Sequence, residues 1–355
     1  MHEHDAPLAY HRLLRRDHRF RWWRPLALGG TTLGFYTVLL IAAFLVVFIS
    51  AMFNPAFWME TDDPSTPFDS IDMGSPPVFI FTMVSLIALI PAVLLAYVLL
   101  GPKPWGVLLS VAGKLRTRWL LVALGLCLAS YVPYLALVLG IEAIGAGTLA
   151  PQFEPPAAPL TLALLIILLV PFQAAAEELV FRGLLMQAVG SWLRHPAFAI
   201  LLPIPLFTFG HLYDIYGMLD VTFFAVAAGY LTWRTGGLEA AIALHVVNNV
   251  SLFLLGTVGY ADLNQTEGTL ESLLISVGFM AIMTYILVKA ATRLGIQRTA
   301  DPLPPLPPRP PMDPRGPFGA PAPTWPGVPN PYARPTPPPA TGDGEPGAPL
   351  PPTQH

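Results

Sequence analysis

Long apolar runs dominate this chain. Eight stretches of roughly 17–25 residues carry almost no charge, and that is the length a helix needs to cross a bilayer. They fall at about 29–53, 77–100, 119–140, 159–186, 197–213, 218–234, 237–256 and 269–290. The predicted fold class is therefore all-α: a polytopic membrane helix bundle of about eight transmembrane helices. Composition agrees. Hydrophobic residues make up 54% of the chain and charged residues only 12%, too little charge to cover a soluble globule of 355 residues.

The charges between the runs set an orientation. Arg12, Arg15, Arg16, Arg19, Arg21 and Arg24 precede the first run. The next connection holds Glu60, Asp62, Asp63, Asp69 and Asp72 and no Lys or Arg. The following one holds Lys103, Lys114, Arg116 and Arg118. Glu154, Arg194, Asp214, Arg234, Asp262 and the pair Lys289 and Arg293 continue the alternation. Basic residues mark the cytoplasmic side. Eight spans in a cell membrane, with both termini cytoplasmic, satisfy every connection. Trp22, Trp23 and Trp119 sit where interfacial aromatic residues are expected.

The chain divides into a basic cytoplasmic N-terminal segment at 1–28, a transmembrane bundle at 29–296 and a tail at 297–355. From about Asp301 the tail holds 22 of the chain's 41 prolines, so it reads as a disordered, polyproline-rich cytoplasmic extension whose partner is unknown. The polar, basic start followed by a long apolar run predicts no cleaved signal peptide. A net charge of -3 gives no reason to expect a nucleic-acid partner, and the single cysteine, Cys127, excludes an intrachain disulfide.

The chemistry lies in "AAAEELVFRG", positions 174–183, which continues the fourth apolar run. Carboxylates inside a membrane face the bundle interior, pair with one another, or do work. Glu178 and Arg182 are four apart and share a helical face, with the Glu on the N-terminal side, so they read as a structural ion pair. Glu177 points about 100° away from Glu178 on a helix and has no local cation, which suits a general base. The bland alternative puts both glutamates in one salt-bridge network. "FTFGH" adds His211, and "LHVVNN" adds His245 and Asn249 on one face of the seventh run. A carboxylate and an imidazole can activate water, while a second imidazole and a carboxamide can donate to an oxyanion. That set suits attack of water on an amide carbonyl. No H-E-x-x-H, G-x-S-x-G, G-x-x-x-x-G-K-[ST] or paired C-x-x-C motif is present. In this topology Glu177 and His245 come out near the cytoplasmic edge. His211 comes out roughly 20 Å from it at 1.5 Å per residue, with Pro203 and Pro205 able to break that span.

"EELVFR", "FTFGH" and "HVVNN", in this order and spacing, resemble the E-E-x-x-x-R, F-x-x-x-H and H-x-x-x-N motifs of the CPBP intramembrane proteases, the family of CAAX prenyl proteases, bacteriocin-processing enzymes and Abi-like proteins. The intervening "YLTWRTGGLEAAIALH" is similar to that family's approach to its last motif. The likeness covers a catalytic core at about 159–256. It implies an eight-helix bundle with a cavity that opens within the membrane. It further implies water activation by Glu177 with His211, and oxyanion stabilisation by His245 with Asn249. The family is commonly labelled metalloprotease. Glu177, His211 and His245 could then ligate a divalent metal such as zinc, and the same residues could equally activate water without one.

The leading expectation is an intramembrane endopeptidase acting on a membrane-embedded protein or peptide, with the lipid bilayer as its surroundings. A non-catalytic scaffold or bacteriocin immunity factor of the same family is the alternative. A transporter ranks last, because the chain shows no duplicated halves.

Overall fold

The computed structural model describes residues 7–17, 20–53 and 72–301; the proline-rich tail expected beyond Asp301 lies outside the described residues. It is an all-α membrane bundle. Seven helices are long and apolar enough to cross a bilayer. They are α1 (Arg24–Phe53), the pair α2 (Pro76–Ile87) and α3 (Leu89–Leu100), α4 (Thr117–Ala146), α5 (Pro159–Glu178) with its continuation to Trp192, α9 (Ile215–Thr235), α10 (Glu239–Thr257) and α11 (Leu270–Arg293). Leu33, Val38, Val46, Leu121, Val132, Ile144, Leu160 and Leu164 stand largely exposed on their flanks, the pattern of a lipid-facing surface.

The run expected at 197–213 is not one continuous helix. It forms two short helices, α7 (Pro196–Leu201) and α8 (Ile204–Thr208), followed by an irregular stretch. Pro203 and Pro205 have no N–H to donate to the preceding turn, so the ladder breaks there. This broken segment still carries the chain from one end of the bundle to the other. Arg194, just before it, accepts a hydrogen bond from His11 at the end where α1 starts. Asp214, just after it, donates its N–H to Thr266 O at 2.8 Å in the connection that enters α11.

The fourth span is longer than its apolar run. α5 (Pro159–Glu178) passes into a π-helical turn (Leu179–Leu185) and then α6 (Met186–Trp192), with no interruption. Glu177 is thus 15 residues from the end at Trp192, about 22 Å at 1.5 Å per residue. The sequence placed it near the cytoplasmic edge, because the hydrophobic run fades before the helix does. His245 is also deeper than expected. Its helix starts below the surface, where Glu239 and Leu238 are fully buried and Leu238 N–H donates to Leu109 O at 3.0 Å.

One end of the bundle carries a lid of its own. Leu8–Ala9 (β1) pairs antiparallel with Thr299–Ala300 (β2), and a 3-10 helix follows at Tyr10–Arg16. Tyr10 and Leu13 are buried, and Arg12 donates to Gly190 O at 3.0 Å. Burial holds the His11 imidazole below its ordinary pKa, and its Nε2–H donates to Arg194 O at 3.0 Å. A second staple closes the same end. Arg116 forks onto Glu239, with Nη2 2.6 Å from Oε2 and Nε 2.9 Å from Oε1, and its Nη1 also donates to Thr235 O and Gln297 O. The basic segment that the sequence showed only as a run of charge therefore has a packed, partly buried structure.

Gly190 shows how closely this lid sits. A Cβ there would lie 2.0 Å from His11 O. Gly190→Ala must push the 3-10 helix away, and overpacking of this kind costs about 1–3 kcal/mol. The expected result is a lower melting temperature in detergent, with protease cleavage appearing in residues 7–17. An unchanged melting temperature would show that the lid contributes nothing to stability.

Candidate active site

The site forms where α5, α8 and α10 meet. α10 can approach closely because Ala240, Ala241 and Ala243 keep its side chains small, the usual device for tight packing in lipid. Glu178 and Arg182 sit either side of the start of the π turn and form a 2.8 Å ion pair. Glu178 is fully buried. The Arg182 guanidinium also lies over the Phe207 ring, 4.3 Å from its centroid. Sequence spacing predicted this pair, and the structure gives Glu178 a second duty. Its Oε1 lies 2.8 Å from Nδ1 of His245. A carboxylate only accepts, so Nδ1 carries the proton and Nε2 points the other way.

Nε2 of His245 points at Glu177, 3.5 Å from Oε2. The two glutamates therefore stand on either side of one imidazole. Phe224 packs on its ring, with centroids 4.8 Å apart, and fixes its plane. The other oxygen of Glu177, Oε1, accepts from Gln173 Nε2 at 2.7 Å. Oε2 is buried with no hydrogen-bond partner.

Asn249 joins through amides. Its Nδ2 donates to Gln173 Oε1 at 3.3 Å, and its Oδ1 accepts from Asn248 Nδ2 at 3.1 Å. Asn248 Oδ1 in turn accepts from Tyr131 on α4. The chain has one direction: every donor from Tyr131 onward points toward Glu177. Sequence reasoning missed Gln173, Asn248 and Tyr131. Gln173 had a signal, since it lies four residues before Glu177 on the same helical face.

A cavity of about 500 Å³ opens against this group. Gln173, Glu177, His211 and Asn249 line it together with Met83, Leu86, Phe181, Phe207 and Phe253. His211 is half-buried; Nδ1–H donates to Phe207 O at 2.9 Å and leaves Nε2 as its free nitrogen. Glu177, His211 and Asn249 thus share one cavity, with His245 directly behind Glu177. The three side chains considered as metal ligands are less well gathered. Among the described residues no three His, Cys, Asp or Glu side chains come together as a metal-holding group. His245 and His211 each use Nδ1 in a hydrogen bond, to Glu178 and to backbone, which leaves Nε2 as the nitrogen that could ligate.

Comparisons with known proteins fall on the same stretch. The family described as Type II CAAX prenyl endopeptidase Rce1-like matches residues 159–251. The uncharacterized protein YyaK of Bacillus subtilis (strain 168) is 24% identical over 263 residues, covering 71% of this chain and 82% of that protein. No solved structure matches. All the carboxylates, imidazoles and carboxamides of the site lie inside the matched stretch, and over that stretch the chain is similar to the Rce1-like type II CAAX prenyl endopeptidases.

Proposed function

We propose that this protein is an intramembrane endopeptidase that hydrolyses a peptide bond of a membrane-embedded protein or peptide. One observation carries the reading. Glu177 lines a cavity together with His211 and Asn249, and its Oε2, buried beside His245 Nε2, has no hydrogen-bond partner. A buried polar atom left unpaired is costly, and a site that binds water or substrate there recovers the loss.

The steps use the chain's own groups. A water held between Glu177 Oε2 and His211 Nε2 gives up a proton to the carboxylate as its oxygen attacks the carbonyl carbon. Gln173 already donates to Oε1, so the incoming proton belongs on Oε2. The carbonyl oxygen becomes an oxyanion. Asn249 has a second N–H on Nδ2 for it, because the first is spent on Gln173. His245 can donate from Nε2 only when both ring nitrogens are protonated, since Nδ1–H already serves Glu178. In that state Glu177, Glu178, Arg182 and His245 together carry no net charge, which suits a buried cluster. As the tetrahedral intermediate collapses, the proton on Glu177 passes to the leaving amine.

The test compares membrane peptides from wild-type and His211→Ala cells, then assays the differing peptide with purified enzyme. Hydrolysis by wild type alone supports the reading. Equal hydrolysis by both removes His211 from the mechanism. His245→Ala and Asn249→Ala should each lower the rate by roughly 10²–10³ if they hold the oxyanion. A scaffold of the same family would show no hydrolysis at all and tolerate all three replacements.

A further inference from the structure

The cavity has an exposed rim, and its position says where a substrate comes from. Its inner wall is Glu177 and its neighbours. Its outer rim is Met73, Leu212, Tyr213, Asn264, Gln265 and Thr266. Met73 N–H donates to Asn264 Oδ1 at 2.8 Å, and Asp214 N–H to Thr266 O at 2.8 Å, so three connections are tied into that rim. All three lie at the end of the bundle opposite the β1–β2 pair, one helix length away along α10 and α11. No residue from the β1–β2 end lines the cavity.

The two ends differ in where the basic residues lie. Among the described residues every Lys and Arg except Arg182 belongs to the β1–β2 end: those at 12–24, 103–118, 194, 234 and 289–298. Among the described residues the mouth end carries Asp72, Glu154, Asp262 and Glu267 and no basic residue. Basic ends stay in the cytoplasm.

We propose that the cavity receives its substrate from the non-cytoplasmic side of the membrane, as an internal, uncharged, apolar stretch of a polypeptide inserted in the bilayer. The proposal rests on the peptidase reading for what happens to that stretch; its sidedness stands on the mouth and the charges alone. The lining selects the chemistry. Met83, Leu86, Leu89, Phe207 and Phe253 give apolar walls, and among the described residues no Lys or Arg lines the cavity to meet a free C-terminal carboxylate. An internal segment leaves no such charge to bury.

Cysteine labelling in intact cells tests this without any turnover. The wild type is the blank, because its single cysteine, Cys127, is buried. Leu212→Cys at the rim and Arg293→Cys at the other end are treated with a membrane-impermeant maleimide. Leu212→Cys should label in intact cells, and Arg293→Cys only after permeabilisation. The reverse pattern overturns the proposal while leaving the peptidase reading intact. Thr82→Cys, on the cavity wall, then reports occupancy in liposomes. An uncharged leucine-rich membrane-spanning peptide should slow its labelling several-fold, and an unchanged rate removes the apolar-segment assignment. A wild type that hydrolyses nothing would sink the peptidase reading and leave both labelling results standing.

Discussion

Glu177→Gln is expected to abolish peptide hydrolysis while leaving the fold intact. The amide keeps the shape of the side chain, and its carbonyl oxygen still accepts from Gln173 Nε2, now 2.7 Å away on Oε1. What it loses is the buried, unpartnered Oε2 that takes the proton. Loss of a positioned general base lowers rates by roughly 10²–10⁴-fold. The melting temperature should move less than in variants of the Glu178–Arg182 pair, because Glu177 has only the 3.5 Å contact with His245 where Glu178 and Arg182 stand 2.8 Å apart. Turnover and melting in the same detergent decide the point. Full turnover in the variant would remove Glu177 from the mechanism and leave the scaffold reading in its place.

The second large effect is on stability. Glu178→Gln and Arg182→Gln each strand one member of a pair whose partners are almost wholly enclosed. Breaking one side of a buried pair costs about 3–5 kcal/mol. Arg182→Gln also removes the cation over Phe207. The double variant should be less destabilised than the sum of the singles, because it leaves neither charge alone. The two singles should part company in activity. Glu178 holds His245 Nδ1, so Glu178→Gln loosens the imidazole that faces Glu177. Arg182 reaches the two imidazoles only through the Phe207 and Phe224 rings, without a hydrogen bond to either, so at a temperature where both variants are folded Arg182→Gln should keep more turnover. Equal losses would mean that Glu178 acts only as a partner for Arg182.

Much of the fold was legible because lipid makes simple demands. Apolar length located seven of the eight expected spans as helices long enough to cross a bilayer, and the remaining one, at 197–213, is the broken segment. The four-residue spacing of Glu178 and Arg182 survives into the structure as an ion pair, while His245, standing between Glu177 and Glu178, ties both glutamates into one cluster that spacing alone did not show. Three things were not legible. Pro203 and Pro205 marked a break, but not that the pieces would be as short as α7 and α8. Hydropathy stopped the fourth span at 186, whereas Gln187, Ser191 and their neighbours continue the helix beneath the N-terminal lid, where polar residues find partners. The amide relay was hidden for a different reason. Tyr131 and Asn248 are 117 positions apart, and nothing local announces that they meet.

The π turn at Leu179–Leu185 has a consequence for how this site tolerates change in length. A π turn is an α-helix carrying one residue more than its ladder needs. The two α-helical halves of the fourth span are therefore out of phase by that one residue. The upper half aims Gln173 and Glu177 at the cavity, and the lower half seats Gln187 and Gly190 against the lid. Deleting a single residue between 179 and 185 would let the ladder relax to regular α-helix, a local gain in hydrogen-bond geometry. The wide turn already absorbs that residue, so the two halves would keep close to their present orientation. A deletion in the regular helix on either side has no such slack: it turns one half against the other by about 100°, and no single rotation then satisfies both the cavity and the lid. The helix works as a vernier: its slip of one residue is what lets two unrelated surfaces, one catalytic and one sealing, be read from the same continuous rod.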